Sequence, residues 1–174
     1  LSSGCDVNDL GRQFTGGQAL ITGLETLVTS EYWLQNGWSI PAKIQYTFTH
    51  AEFTENFYSG FSQFGSVASG DRLPYVAAHQ GALSTGIKTE KVSINGVTNY
   101  RGEMLDKAGT FENATIIPRL WTADISGSVR VVDNWMVYGT WNNVTNTQAV
   151  TSWRPFGARP ITPSSVFLGV KRDI

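Results

Sequence analysis

Two kinds of interruption divide this chain, and they take strict turns. Short polar connections at Ser30 to Gly37, Thr89 to Lys91 and Val132 to Asn134 alternate with long irregular ones at Asn56 to Ala78, Leu105 to Arg119 and Val144 to Ser164. The segments between them are apolar on one parity only, which marks them as strands, because successive side chains of an extended chain point to opposite faces. Trp121 to Val131 is the clearest. Trp121, Ala123, Ile125, Val129 and Val131 share one face, while Thr122, Asp124, Ser126, Ser128 and Arg130 share the other. Trp38 to His50 repeats the pattern, with Ile40, Ile44, Tyr46 and Phe48 against Ser39, Lys43, Gln45 and Thr47. Pro41 falls on the polar parity near the start, where a missing ladder donor is best tolerated. Val92 to Glu103, Trp135 to Asn142 and Val166 to Ile174 follow the same rule, with fainter versions at Gly81 to Glu90 and Gln18 to Thr29. Leu1 to Thr15 is broken by Gly4, Asp6, Asn8, Asp9 and Gly11 and reads as loop.

Charge tests the pattern more strictly. Lys43, Lys88, Glu90, Arg101, Glu103, Asp124, Arg130 and Lys171 all take the polar parity of their segments. Arg172 does not, but it lies near the chain end, where a long side chain reaches an interface. A soluble β-sandwich alternates too, so alternation leaves a packed core and a lipid-facing wall both open. Aromatic placement and loop length favour the wall. Trp38, Trp121, Trp135, Trp141 and Tyr100 take the apolar parity, mostly near segment ends, as the girdles of a membrane barrel do. Short turns on one rim and long loops on the other are the habit of outer-membrane barrels.

Composition excludes other classes. With 16% charged residues and a net charge of -1, the 174-residue chain has neither the bias of a disordered segment nor the basic excess of a nucleic-acid binder. It contains no apolar run of about 18 residues, the length that a membrane-spanning helix needs. Leu1-Ser2-Ser3-Gly4 lacks the basic and apolar parts of a secretory signal, so the chain is expected to start in mid-fold or after processing. The lone Cys5 has no intrachain partner, and His50 and His79 stand apart without a third ligand, so no metal site is expected. No nucleophile, base and orienting acid can be assembled, so no catalytic residues and no enzyme activity are expected. Asn113-Ala114-Thr115 and Asn143-Val144-Thr145 match the glycosylation sequon, which matters only in a eukaryotic secretory setting.

Several short stretches then occur in a telling order. Gly23-Leu24-Glu25, Arg72-Leu73-Pro74-Tyr75, His79-Gln80, Tyr100-Arg101-Gly102-Glu103-Met104 and Arg154-Pro155-Phe156-Gly157-Ala158-Arg159-Pro160 before Phe167-Leu168-Gly169-Val170-Lys171 resemble the C-terminal barrel of TonB-dependent outer-membrane receptors. The last pair is most similar to the branch that includes the ferric citrate transporter. Such barrels usually end in an aromatic residue, whereas this chain ends in Ile174. The resemblance implies an all-β fold, an antiparallel transmembrane β-barrel segment of about seven strands from an outer-membrane barrel of about 22 strands. It also implies that residues 1–174 are the C-terminal portion of the receptor barrel, without the plug domain and the N-terminal strands. The implied function is energised uptake of a ferric chelate, ferric citrate or a siderophore, across the outer membrane of a Gram-negative bacterium. The ferric chelate would be cargo, with no resident cofactor. TonB, acting through the N-terminal region, is the implied protein partner, and outer-membrane lipid and lipopolysaccharide the implied surroundings.

Within that frame the candidate ligand-binding cations are Arg154, Arg159 and Arg72, all in long loops. The competing role for Arg154 and Arg159 is structural: pinning the loop to acidic neighbours or meeting lipopolysaccharide phosphates. Pro155, Gly157 and Pro160 favour a shape-determining turn. Phe53, Phe57, Tyr58, Phe61, Phe64 and Tyr75 give the first long loop enough apolar area to pack against itself. Lys43, Arg101, Glu103, Asp124 and Arg130 are expected to line the lumen. Two other functions also fit alternating strands. One is a passive porin or small structural barrel, and the other is a soluble β-sandwich that binds carbohydrate or acts as an adhesin.

Overall fold

The computed structural model describes residues 17–61, 63–132, 134–154 and 157–172. The expected loop from Leu1 to Thr15, Cys5, Pro155, Phe156 and the terminal Ile174 lie outside the described residues. Seven long strands form one sheet: β1 (Ala19–Trp33), β2 (Ser39–Phe53), β3 (His79–Lys88), β4 (Val92–Arg101), β5 (Leu120–Val132), β6 (Trp135–Asn142) and β7 (Ser165–Arg172). Each pairs antiparallel with the next in sequence, so the sheet is a simple up-and-down meander.

The register carries the alternation across all seven strands, because residues directly opposite each other in a ladder share a face. Val28, Ile44 and Leu83 are in line, as are Ile87, Ile94 and Gly127, and as are Ile125 and Trp141. These rows make a broad apolar surface whose large side chains are exposed. Exposed apolar area on this scale does not survive in water, whereas a bilayer solvates it. The opposite face carries Lys43 beside Ser84, Asn95 beside Ser126, Asp124 beside Val97 and Lys171 beside Met136. Lys43, Lys88, Arg101, Asp124, Arg130 and Lys171 therefore all point away from the apolar side, as their parity requires. Arg172 sits on the apolar side, and its guanidinium lies 5.5 Å from the centre of the Trp135 ring, so it is accommodated at the strand end by a cation–π contact. Glu90 lies in a turn, and Glu103 lies beyond the end of β4.

Every short connection falls at one rim. The first is tighter than its polar composition suggests, because β1 runs on to Trp33 and only residues 34–38 turn. Asn36 and Gly37 both take positive φ there, at 84° and 75°, the conformation whose twist matches that of the flanking strands. In the second, the Thr89 hydroxyl accepts from the backbone N–H groups of Lys91 and Val92 at 3.2 and 2.9 Å and closes the turn. The third is flanked by a bulge, where the pairing of β5 with β6 shifts between Trp135 and Met136. Trp38 and Trp135 stand at this rim, where Trp33 ends β1 on the polar parity opposite Ser39; Tyr100, Trp121 and Trp141 gather towards the other, with the Tyr100 and Trp121 rings 4.4 Å apart. Two aromatic bands thus border the apolar surface, as in a barrel that crosses a lipid layer.

The two faces should respond oppositely to charge. Ile125→Arg places a cation at mid-wall on the apolar side and is expected to destabilise the folded barrel in lipid by about 2–4 kcal/mol. Ser126→Arg, one residue along on the other face, is expected to be tolerated. Unfolding by denaturant in lipid vesicles, read by the mobility of unheated samples on gels, distinguishes the two.

Candidate functional site

The three long connections, residues 54–78, 102–119 and 143–164, all leave the sheet at the rim opposite the short turns. The buried core of the described residues lies there, in the loops and at the loop end of β2. One cluster packs Phe53, Val67 and Ala108 with Phe57, Phe64 and Leu73. The Phe53 ring meets Phe57 and Phe64 edge-on at centroid distances of 5.1 and 6.0 Å. Most of the aromatic residues of the first long loop thus fold that loop onto itself, although Tyr58 stays exposed. A second cluster packs Ala77, Met104 and Ile117 with Tyr75. Small two-stranded ribbons stiffen each loop: Phe57–Ser59 with Gly65–Val67, Met104–Leu105 with Ile116–Ile117, and Val150–Ser152 with Arg159–Pro160.

The loops are also tied to each other. Backbone bridges join Arg72 to Glu52 on one side and to Gly109 on the other, which links β2 to the second long loop through the first. Tyr75, with a positive φ of 60°, donates its N–H to the Leu105 carbonyl at 2.8 Å. Its hydroxyl accepts from the Arg154 backbone N–H at 3.2 Å, which brings in the third loop. The Arg154 guanidinium Nε lies 3.2 Å from Asp106 Oδ2, and the Asp106 side chain is only 4% exposed. A carboxylate buried to that degree requires a charge partner. Asn143 organises the third loop from within. It takes a positive φ of 47°, donates its side-chain N–H groups to the Thr147 and Thr162 carbonyls, and accepts from the Thr147 N–H at 2.9 Å.

The three arginines singled out by sequence are thus placed in three different settings. Arg154 is a loop-pinning residue through Asp106 and Tyr75. Arg159 is exposed on its ribbon, with its carbonyl accepting from the Thr151 hydroxyl at 3.0 Å. Arg72 lies over the Phe111 ring, 5.1 Å from its centre. The contacts described for the three thus involve different partners: Asp106 for Arg154, Thr151 for Arg159 and Phe111 for Arg72. Asp106 is the residue that sequence reasoning missed, and Tyr75, expected only to pack the first long loop, also ties it to the third. Asp106 is 48 positions from Arg154, and no local spacing announces the pair.

Below the loops, the polar face of β1 to β5 forms an open concavity of about 490 Å³ lined by Glu25, Gln45, Thr47, Gln80, Asn99 and Arg101 among others. Arg101 donates to the Pro118 carbonyl at 3.1 Å, and Asp124 accepts from the Asn143 N–H at 2.7 Å, so the wall and the loops share hydrogen bonds. Lower down, Gly169 leaves the space that the facing Tyr138 ring occupies across the strand pair. Among the described residues no group of three or more His, Cys, Asp or Glu side chains is placed to hold a metal ion. The surface offers hydrogen bonds and charge, which suits capture and passage of a polar solute.

A seven-stranded meander, apolar outside and polar inside, with its loops massed at one rim, has counterparts among solved structures. It matches the siderophore receptor PiuA from Acinetobacter baumannii with a TM-score of 0.71 and 21% identity, over 90% of this chain and 22% of that one. The antiparallel seven-stranded sheet thus has the fold of a barrel-wall segment of outer-membrane receptors. It also matches P. aeruginosa FpvA, solved bound to pyoverdines, with a TM-score of 0.63 and 16% identity over 90% of this chain and 20% of that one. The closed form of Fiu, a ferric-catecholate import receptor from E. coli K12, matches with a TM-score of 0.54 and 19% identity over 87% and 24%. No protein-family model matches the sequence, and no curated protein matches it. The chain spans about a fifth to a quarter of the length of the receptors it resembles.

Removing the Asp106 carboxylate should loosen the loop layer without opening the wall. Asp106→Ala is expected to cost about 1–3 kcal/mol, the penalty of stranding a hydrogen-bonded, partly buried charge. The measurement is the rate of proteinase K nicking within residues 143–164, which should rise while the gel mobility of the unheated barrel stays unchanged.

Proposed function

We propose that this chain is the closing part of the barrel of a TonB-dependent receptor that takes up a ferric chelate across the outer membrane of a Gram-negative bacterium. The observation that carries the reading is the two-sided wall with its loops massed at one rim, which follows the barrel of siderophore receptors over nine-tenths of the chain. Loops of this kind face outwards in such barrels, because short turns lie on the periplasmic side. They form the capturing surface, and the polar concavity beneath them lines the passage. Transport of an intact chelate breaks no bond in it, so the protein acts as a receptor and not as an enzyme. TonB engages the plug through a segment N-terminal to this portion of the barrel and supplies the work of release.

Ferric citrate is the first ligand to test. Its carboxylates give the complex an anionic surface that matches a guanidinium, and Arg159 presents one in the open on its ribbon. Arg154 supports that ribbon through Asp106, so its contribution to capture is indirect. Arg72 lies instead over the Phe111 ring.

Uptake of radiolabelled iron by cells producing the full-length protein tests the reading. Ferric citrate, ferric siderophores and an uncharged solute are compared in cells with and without TonB. Saturable iron uptake that disappears without TonB is the expected result, and diffusion of all three solutes regardless of TonB would instead identify a passive porin. Arg159→Ala is expected to weaken ferric citrate binding by about tenfold, the loss of one charge-assisted contact.

A further inference from the structure

The polar face of the wall is not uniform along the sheet. On β1 and β2 it carries long side chains, Leu27, Glu31, Trp33, Lys43 and Gln45. On β4 to β6 the ladder sets Asn95 beside Ser126 and Ser126 beside Thr140, with Ser93 beside Ser128, so the surface there is short, uncharged and rich in hydroxyls. A hollow of about 200 Å³ lies over it, lined by Ser93, Ser126, Ser128, Tyr138 and Thr140 among others. Tyr138 brings a large ring to this face, yet the ring lies back across Gly169 of β7, where an added Cβ would collide with it and with its hydroxyl. The absence of a side chain at Gly169 lets the ring lie clear of the hollow.

Charge is disposed at the two ends of this face. Arg101 stands at the loop end, in the wall of the larger concavity, and donates to the Pro118 carbonyl. At the short-turn end Lys88 is directly opposite Ser93, and Arg130 is the next residue after Ser128 on the same side. Both are exposed, and among the described residues neither has a carboxylate within salt-bridge distance. Among the described residues of β4 to β6, Asp124 is the one carboxylate on the polar face, and its oxygens accept from the Asn143 backbone N–H at 2.7 Å and the Asn99 amide at 3.5 Å. An anion on this face therefore meets cations above and below, and the carboxylate between them is already hydrogen-bonded.

Building on the uptake reading given above, we propose that the hollow is a transit site for an anionic carboxylate chelate on its way from the loops to the short-turn rim. Hydroxyl and amide groups exchange a solute for water with little net change in free energy, so they guide it without trapping it. Lys88 and Arg130 meet its negative charge at the lower edge, where exposure and flexible stems keep the contacts weak enough for release. Bulk on this face, and not elsewhere on the polar wall, obstructs passage.

The test uses cells producing the full-length protein, with ferric citrate as the probe. Binding to cells without TonB reports capture by the loops, and uptake at saturating chelate in cells with TonB reports transit. Ser126→Trp fills the hollow and is expected to lower the uptake rate by about tenfold while capture affinity is unchanged. Thr29→Trp puts the same bulk on the polar face of β1 and is expected to stay within about twofold of the parent. Gly169→Ala drives the Tyr138 ring towards the hollow and should slow uptake, and Gly169→Ala/Tyr138→Ala should restore it. Lys88→Ala/Arg130→Ala, which adds no bulk, is expected to lower the rate by about threefold, whereas Lys88→Arg/Arg130→Lys keeps both charges and the rate. Uptake by Ser126→Trp or by the double alanine variant at the parent rate would overturn the proposal, as would equal slowing by Thr29→Trp. Gel mobility of unheated samples shows that each variant has kept its barrel. A parent that takes up no ferric citrate in cells with TonB would overturn the uptake reading itself, which separates that failure from failure of the transit site.

Discussion

In lipid no backbone N–H or C=O can be left without a partner, and everything else in this structure follows from how the chain meets that demand. A helix would satisfy its own backbone within one segment, but the alternation of polar and apolar residues forbids a helix uniformly apolar enough to span. Strands must then borrow partners from their neighbours. The continuous ladder from β1 to β7 supplies them, and among the described residues the outer edges of β1 and β7 are where it ends. The same ladder sorts side chains by parity. An apolar surface and a polar surface are therefore one consequence of one hydrogen-bond pattern.

With the sheet committed to two solvents, little is left for a conventional core. Packing moves to the long-loop rim, where Phe53, Val67 and Ala108 in one place and Ala77, Met104 and Ile117 in another are enclosed. Charge then links the layers, since Arg154 crosses from the third loop to the buried Asp106 of the second and its backbone meets Tyr75 of the first. A surface that captures a solute benefits from loops ordered in advance, because less conformational entropy is lost on binding.

Much of the wall was legible in the sequence. Residues 121–131 alternate without exception, and the strand found there, Leu120–Val132, extends the segment by one residue at each end. The first strand was fainter because Ile21 and Leu27 are apolar on the polar parity, pairing with Ala51 and Gln45, so the period blurred although the ladder is regular. Its end was missed for a related reason: Ser30 and Glu31 look like turn residues, yet Glu31 stays in the strand and accepts a 2.7 Å hydrogen bond from the Ser39 hydroxyl. Glu103 counted as a wall residue by parity, but the ladder stops at Arg101, and Glu103 borders a cleft at the outer rim. The loop network was not legible, because Asp106 and Arg154 meet only through the arrangement of two long loops. Parity is a local property of an extended chain; contacts between loops belong to the tertiary structure.

The central claim is that one face of this sheet meets lipid and the other meets water. Single cysteines introduced along β5 in the full-length protein, with Cys5 replaced by serine, test it directly when each is challenged with a water-soluble thiol reagent and, once labelled with a fluorophore, with a lipid-borne quencher. The account predicts a period of two: labels at Ala123, Ile125 and Val129 are quenched from the lipid, whereas Thr122, Asp124 and Ser128 react from the aqueous side. Equal aqueous reactivity on both parities, or quenching that shows no alternation, would contradict it.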